Sequence, residues 1–403
     1  VLDKVLVVED SRAFRKLLEN QLIDAGFVPV LCESYAEVKR LLQEHDDYLC
    51  AVLDYCLPDA QDGEIIDLVL SYEIKSIVLT ANMDSTIRDR VLGKGVIDYI
   101  LKDSPASISY LPVLLRRLSA NRQHKVLVVD DSRTVRSHLE ALLNRQYLTC
   151  LTAENGQQAL NVLAREKDID FVITDHDMPG KDGIALTWEI RQQHDRSSMI
   201  ILGLSGSNDK TMTARFIKAG ANDFLYKPFN PEEFYCRIHQ LLDIKEATSE
   251  LYKLANQDAL TNLWNRRYFF THAEEASGYH IAMMDIDFFK SINDTYGHDG
   301  GDMVLIYVSK LLKKHFPQDV VARFGGEEFA ICSTQNLAEF KQRLELFRET
   351  IQESVVNYGD KEIQFTLSIG IATGDGCVDS LLKVADNHLY TAKETGRNRI
   401  VYD

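Results

Sequence analysis

The sequence contains no run of about 18 consecutive apolar residues, the length a helix needs to cross a bilayer. It is also short of positive charge. Its 45 Lys and Arg stand against 61 Asp and Glu, a net charge of −16, which argues against a broad electrostatic grip on nucleic acid or an anionic membrane. Only a local basic pocket for phosphates is compatible with that balance. Cysteine is sparse: Cys32, Cys50, Cys56, Cys150, Cys236, Cys332 and Cys377 are odd in number, scattered, and without the paired spacing of a zinc or redox site. They read as reduced core thiols. Together these absences predict a cytoplasmic protein with neither nucleic acid nor membrane as a partner. What is present is enough apolar material, 45 % of 403 residues, to fill the cores of two to four domains.

The chain repeats itself. Lys4-Val5-Leu6-Val7-Val8-Glu9-Asp10-Ser11-Arg12 returns 121 positions later as Lys125-Val126-Leu127-Val128-Val129-Asp130-Asp131-Ser132-Arg133. The same offset joins Asp54 to Asp175 and widens to 125 between Thr80 and Ser205. Phe14, Leu17, Leu18 and Leu22 mark a helix face in one copy, and Val135, Leu139, Leu142 and Leu143 mark it in the other. Strand, acidic turn and helix in alternation predict a doubly wound parallel sheet, twice over. Acids stand at the expected strand ends, Glu9, Asp10 and Asp54 in the first copy and Asp130, Asp131 and Asp175 in the second.

From Pro231 to Gln257 no further proline or glycine occurs, and Leu241, Ile244, Thr248, Leu251 and Ala255 are spaced alternately three and four apart, about two heptads. Up to Asp243 this reads as the last helix of the second repeat. Beyond it, a helical connector able to pair with a second subunit is expected.

A third region begins near Asp258. In Arg323-Phe324-Gly325-Gly326-Glu327-Glu328-Phe329 two glycines permit the positive φ of a tight hairpin loop and leave no side chain to keep a nucleotide from the backbone. Glu327 is expected to leave that turn beside the ligand. Val320, Val321, Ala322 and Phe324, then Phe329, Ala330 and Ile331, read as the flanking strands. Upstream, Ile281, Ala282, Met283 and Met284 read as a buried strand ending in Asp285, and strand ends are where open α/β sheets place ligands.

These segments, with Met284-Asp285-Ile286-Asp287-Phe288-Phe289-Lys290-Ser291-Ile292-Asn293-Asp294 running on to Asp302, Asp258-Ala259-Leu260-Thr261-Asn262-Leu263-Trp264-Asn265-Arg266-Arg267, and Lys393-Glu394-Thr395-Gly396-Arg397-Asn398, resemble the GGDEF family of diguanylate cyclases over about residues 258 to 403. Each repeat resembles a response-regulator receiver domain, and the order is similar to that of PleD-type response regulators. The resemblance implies an α/β chain: two flavodoxin-like receiver domains (1–120 and 121–243), a helical linker (244–257), and an α+β GGDEF domain of nucleotidyl-cyclase type (258–403).

For the receivers it implies phosphorylation at Asp54 and Asp175. Mg²⁺ would be held by the acids named above, with Thr80, Tyr99 and Lys102, or Ser205, Phe224 and Lys227, as the switch groups. For the third domain it implies condensation of two GTP into cyclic di-GMP with release of pyrophosphate, in a homodimer because each domain holds one GTP. Asp285, Glu327 and the Ile286 carbonyl would hold Mg²⁺, with Mn²⁺ as an alternative, and Glu327 would also accept the proton of the attacking hydroxyl. Amides around Phe288 and Phe289 would cradle phosphates, and Lys290, Lys393 and Arg397 would offset their charge. Asn293 and Asp302 would read guanine, whose N1–H and exocyclic amine are neighbouring donors suited to a carboxylate. Asp287 and Asp294 are expected to be structural or supporting acids. The implied partners are GTP, a second copy of the chain, and a cognate sensor histidine kinase or phosphotransfer protein.

Some positions depart from the families' patterns. Lys102 is followed by Asp103 where Lys227 is followed by Pro228, and Glu9 replaces the commoner aspartate. The Arg-x-x-Asp that binds product in many of these cyclases reads Phe316-Pro317-Gln318-Asp319 here, which predicts weak or missing feedback. Two rival readings are a GTP- or product-binding effector without turnover, against which the intact motif argues, and a phosphorelay module, which predicts no pyrophosphate release.

Overall fold

The runs Lys4–Val8 and Lys125–Val129 form inner strands of two separate parallel sheets in the computed structural model of the chain. It describes every residue except 1, 46, 82–84, 207–210, 274–278 and 375–376. The first sheet comprises β1 (Lys4–Val8), β2 (Val28–Cys32), β3 (Cys50–Asp54), β4 (Ser76–Thr80) and β5 (Asp98–Leu101), in the order β2-β1-β3-β4-β5. The second comprises β6 (Lys125–Val129), β7 (Thr149–Ala153), β8 (Ile169–Asp175), β9 (Ile200–Ser205) and β10 (Asp223–Tyr226), with the same connectivity. This is the flavodoxin-like order, in which ligands sit beyond the carboxyl ends of the strands.

Central strands such as Cys50–Asp54 and Ser76–Thr80 are buried throughout, because helices cover both faces and leave no polar side to alternate with. The first helix of each repeat opens on a serine, Ser11 or Ser132, whose hydroxyl accepts from the amide three residues on. Leu18 and Leu22 of the first helix are buried, but Leu17 is 45 % exposed, so the predicted stripe is narrower than its spacing suggested.

The two repeats pack into one compact unit, Val1–Glu246. Its internal seam is polar. Buried Arg117 donates to Asp243 (2.9 Å) and Glu246 (2.8 Å), Asn121 donates to the Gln146 carbonyl (2.7 Å), and the Tyr147 hydroxyl reaches the Leu49 carbonyl. His124 is held between Asp170 at 2.6 Å and Glu246 at 2.7 Å.

The other unit, Ala247–Asp403, is built on one mixed sheet. Its strands are β11 (Trp264–Asn265), β12 (His280–Ile286), β13 (Val320–Gly325), β14 (Glu328–Ser333), β17 (Leu367–Thr373) and β18 (Ile400–Val401), in the order β11-β13-β14-β12-β17-β18. A small hairpin, β15 (Val356–Tyr358) with β16 (Lys361–Ile363), stands apart. Along β12 the side chains alternate. Ala282, Met284 and Ile286 enter the core with helices Phe289–His315 and Leu337–Glu353, while Ile281 and Met283 enter the opposite core with helices Arg266–Ala273 and Val378–Glu394. That period puts Asp285 on the side of helix Val378–Glu394. The helix Pro231–Asn256 is continuous, with Leu241 buried and Ile244, Leu251 and Leu254 exposed.

Candidate functional site

Asp285 is where the strand pattern aims it, near the end of β12 between Glu328 of β14 and Ser368 of β17. Its carboxylate is buried and pairs with Lys393 at 2.8 Å, from the last turn of helix Val378–Glu394. Burial pushes the Asp285 carboxyl up to about 6, the charges of Glu327 and Glu328 push the same way, and Lys393 opposes them. An acid in that balance can take a cation.

The hairpin β13–β14 closes through Gly326 and Glu327, because Gly325 still pairs with Glu328. Glu327 therefore occupies the loop itself rather than leaving it, and its carbonyl lies 3.4 Å from the Ile286 amide. Gly325 (φ 148°) and Gly326 (φ 49°) use backbone that other residues rarely adopt. Arg323 holds the loop shut, donating Nε (3.0 Å) and Nη2 (2.8 Å) to the Gly326 carbonyl and Nη1 to Asp258 (2.9 Å). Asp258 also receives the Thr261 amide (2.9 Å) and hydroxyl (2.7 Å). Burial would raise the Asp258 carboxyl, but these bonds outweigh it and hold the group below its ordinary value. Sequence reasoning recorded both segments and gave Arg323 and Asp258 no role; only the folded chain brings them within reach.

Phe288 turns left-handed (φ 56°) just before helix Phe289–His315, whose first amides are unpaired within the helix by construction. Phe288 is exposed, Phe289 buried, and Lys290 exposed on the first turn. Arg397 lies over the Phe288 ring, 4.4 Å from its centroid. Asn293 and Asp302 lie on the same helix on either side of Gly297, whose φ of 77° and ψ of 169° break it. A Cβ on Gly301 would sit 2.0 Å from Asn293 Oδ1, so the side chain of Asn293 lies across the backbone next to Asp302. Asp294 is exposed on that helix.

Beside the hairpin, Phe316 is in the core, and Asp319 is already engaged: Arg343 donates to its carboxylate at 2.8 Å and to the His315 carbonyl, with the guanidinium 4.7 Å over Phe316.

In each repeat of the other unit the acids converge as well. Glu9, Asp10 and Asp54 present oxygens within 4.8 Å of one another, and so do Asp130, Asp131 and Asp175. Lys102 bridges Glu9 and Asp54 at 2.7 Å each, and Lys227 bridges Asp130 (2.8 Å) and Asp175 (2.7 Å). Burial raises the carboxyls of Glu9 and Asp175 against the pull of those lysines. Asp103 turns away, accepting from Ser107 (2.7 Å), so it does not compete for Lys102. Thr80 and Ser205 are buried at the ends of β4 and β9, and the amides of Lys102 and Lys227 donate to their carbonyls at 2.8 Å. The aromatic positions differ. Phe224 is buried between Phe216 and Tyr226, whereas half-buried Tyr99 accepts from Arg88 Nε at 3.1 Å, and Arg88 also pairs with Glu232 at the start of helix Pro231–Asn256.

Known families match these three regions. A family model described as the response regulator receiver domain matches residues 5–108 and 126–239, and one described as diguanylate cyclase, GGDEF domain, matches residues 255–399. The response regulator PleD of Caulobacter vibrioides is 29 % identical over 299 residues, 69 % of this chain and 65 % of PleD. Diguanylate cyclase A of Treponema denticola is 36 % identical over 179 residues, 40 % of this chain and 48 % of that protein. A crystal structure of a putative two-component system response regulator/GGDEF domain protein is 36 % identical with a TM-score of 0.57, covering 60 % of this chain and 99 % of that one. The matches thus span about half to two thirds of these curated relatives. Among the described residues no helix is long and apolar enough to cross a membrane. The chain belongs to the response regulators, with two receiver domains followed by a GGDEF domain.

Proposed function

We propose that this protein is a diguanylate cyclase that condenses two GTP into cyclic di-GMP with release of pyrophosphate, and that phosphorylation of its receivers controls it. The observation that carries the reading is the buried Asp285 carboxylate, paired with Lys393 at a strand end beside the Gly326–Glu327 loop.

The donor set fits a hard divalent cation, since Asp285, Glu327 and the Ile286 carbonyl offer only oxygen, and burial alone leaves Asp285 wanting a positive partner. Mg²⁺ suits it best, with Mn²⁺ an alternative; when bound it would neutralise charge on the triphosphate. Lys393, Lys290 and Arg397 add fixed positive charge against the developing negative charge, and the amides of Phe288 and Phe289 receive phosphate oxygens. Asn293 and Asp302 select guanine, because adenine would set a ring acceptor against the carboxylate. Glu327 accepts the proton of the 3′-hydroxyl as it attacks the α-phosphate of a second GTP. That second GTP must come from another copy of the domain, so the active species is a homodimer.

In the receivers the same oxygen-ligand argument assigns a metal to Glu9, Asp10 and Asp54 and to Asp130, Asp131 and Asp175. Asp54 and Asp175 accept phosphoryl groups from a sensor kinase or phosphotransfer protein, and Lys102 and Lys227 pair with the attached oxygens. The domain division at 1–120, 121–243, 244–257 and 258–403, and a cytoplasmic location, belong to this proposal. Feedback through Asp319 is weak, because its arginine is missing and its carboxylate is engaged by Arg343.

The test is turnover of GTP by the purified protein with Mg²⁺, following cyclic di-GMP and pyrophosphate. Glu327→Gln is expected to lower it by about 10²- to 10⁴-fold, the usual weight of a general base. GTP binding without product in the phosphorylated protein carrying no substitution would overturn the reading.

A further inference from the structure

We propose that Asp287 is a positioning residue for Arg397, fixing the guanidinium over Phe288 at the phosphate end of the nucleotide site; this rests on the cyclase reading above. Asp287 follows the last residue of β12 and is 3 % exposed. A buried carboxylate is costly unless its oxygens are satisfied. Here Oδ2 receives the Thr366 hydroxyl (2.7 Å) and the Asn398 amide (3.1 Å), and Oδ1 receives the Ser368 hydroxyl (2.7 Å). The Asp287 amide donates to the Thr366 carbonyl at 2.9 Å. One carboxylate thus fastens the exit of β12, the entry of β17, and the turn that leads into β18.

That turn needs fastening. Arg397 (φ 61°) and Asn398 (φ 47°) are consecutive left-handed residues, a conformation disfavoured for both and more so for arginine. They follow Gly396 (φ 122°) at the end of helix Val378–Glu394, where the Arg397 amide caps the Ala392 carbonyl at 2.9 Å. The side chain of Asn398 is gripped from helix Leu337–Glu353, by Arg348 (2.8 Å) and Gln352 (2.9 Å). With its neighbour held on both sides, Arg397 points over Phe288, the residue directly after Asp287. Asp287 therefore ties both members of the pair, Phe288 through the chain and Arg397 through the Asn398 amide. Lys393, which meets Asp285, lies one helical turn before the same turn of chain.

An acid that only stabilised the fold would cost the protein the same whether or not Arg397 were present. A positioning acid would not. The test is a double-mutant cycle in the full chain with Asp287→Asn, Arg397→Ala and both, reading kcat, KM for GTP, and the Kd of a non-hydrolysable GTP analogue. Arg397→Ala is expected to weaken analogue binding about tenfold, as for loss of a charged hydrogen-bonding partner, and Asp287→Asn to weaken it comparably. In the Arg397→Ala background, Asp287→Asn is then expected to change binding by less than about twofold. Equal losses in both backgrounds would overturn the proposal. If Asp287→Asn fails to fold, Ser368→Ala and Thr366→Val, each removing one donor, carry the same expectation. An unmodified protein that neither binds the analogue nor turns over GTP would sink the cyclase reading; normal binding with independent losses would sink this one alone.

Discussion

Arg323 donates twice to the Gly326 carbonyl of the hairpin loop, and Asp258 turns the guanidinium into place. Charge-assisted bonds of this kind are worth roughly 1.5–3 kcal/mol, or about 10- to 100-fold. Arg323→Met should therefore lower the melting temperature of this domain by several degrees and reduce turnover as the loop loosens, which calorimetry and steady-state kinetics together would check. Asp285 makes the opposite trade. Burial pushes its carboxyl up to about 6, above the ordinary 3.8, so the fold favours its protonated form. Its contribution to stability is greatest below 3.8 and is lost as pH rises through 6. Asp285→Asn should thus leave the metal-free melting temperature at pH 7.5 unchanged or higher while abolishing turnover. A clear fall in that temperature would contradict the assignment of strain to this acid.

Two elements of the receiver unit carry their own tests. His124, between helix Pro105–Asn121 and β6, faces Asp170 and Glu246, with Arg117, Asp243 and Lys245 bound to the same carboxylates or beside them. Burial disfavours its imidazolium, but the two carboxylates outweigh that and raise its pKa above 6.5. The resulting stability is complete below 6.5 and is lost as pH rises through the raised value. The melting temperature of this unit should fall as pH rises above 6.5, and His124→Gln should flatten that dependence. The helix Pro231–Asn256 is joined to Tyr99 by Arg88 and Glu232. In an Asp175→Asn background, which leaves the first receiver alone to respond, Glu232→Gln should change the ratio of turnover with and without acetyl phosphate. An unaltered ratio would show that this arm transmits nothing.

At the scale of the whole molecule, the proposed pairing of two half-sites requires that turnover per chain rise with protein concentration. Acetyl phosphate should lower the concentration needed for half of the maximal rate, and Asp54→Asn and Asp175→Asn should each be compared for loss of that shift. A rate per chain independent of concentration, in a protein that sedimentation shows to be monomeric, would contradict the dimer. Product added to such assays should inhibit weakly, and Asp319→Ala should leave that inhibition unaltered, since the carboxylate is bound to Arg343.

The sequence by itself determined the repeat, the strands and the acids at their ends, because periodicity and spacing are properties of the chain taken a few residues at a time. The apolar run before it also marked Asp285 as the end of a strand, whereas Lys393, Lys102 and Lys227 were legible only through the family resemblance. Tertiary structure decided which partner each group takes. Leu17 is left exposed, Glu327 sits within the loop, Asp103 turns to Ser107, and Asp319 goes to Arg343. Asp287 binds an amide 111 residues away, and Asp258 reaches Arg323 across 65. Such choices depend on how helices and strands distant in sequence pack against one another, and no local pattern encodes the distance between them.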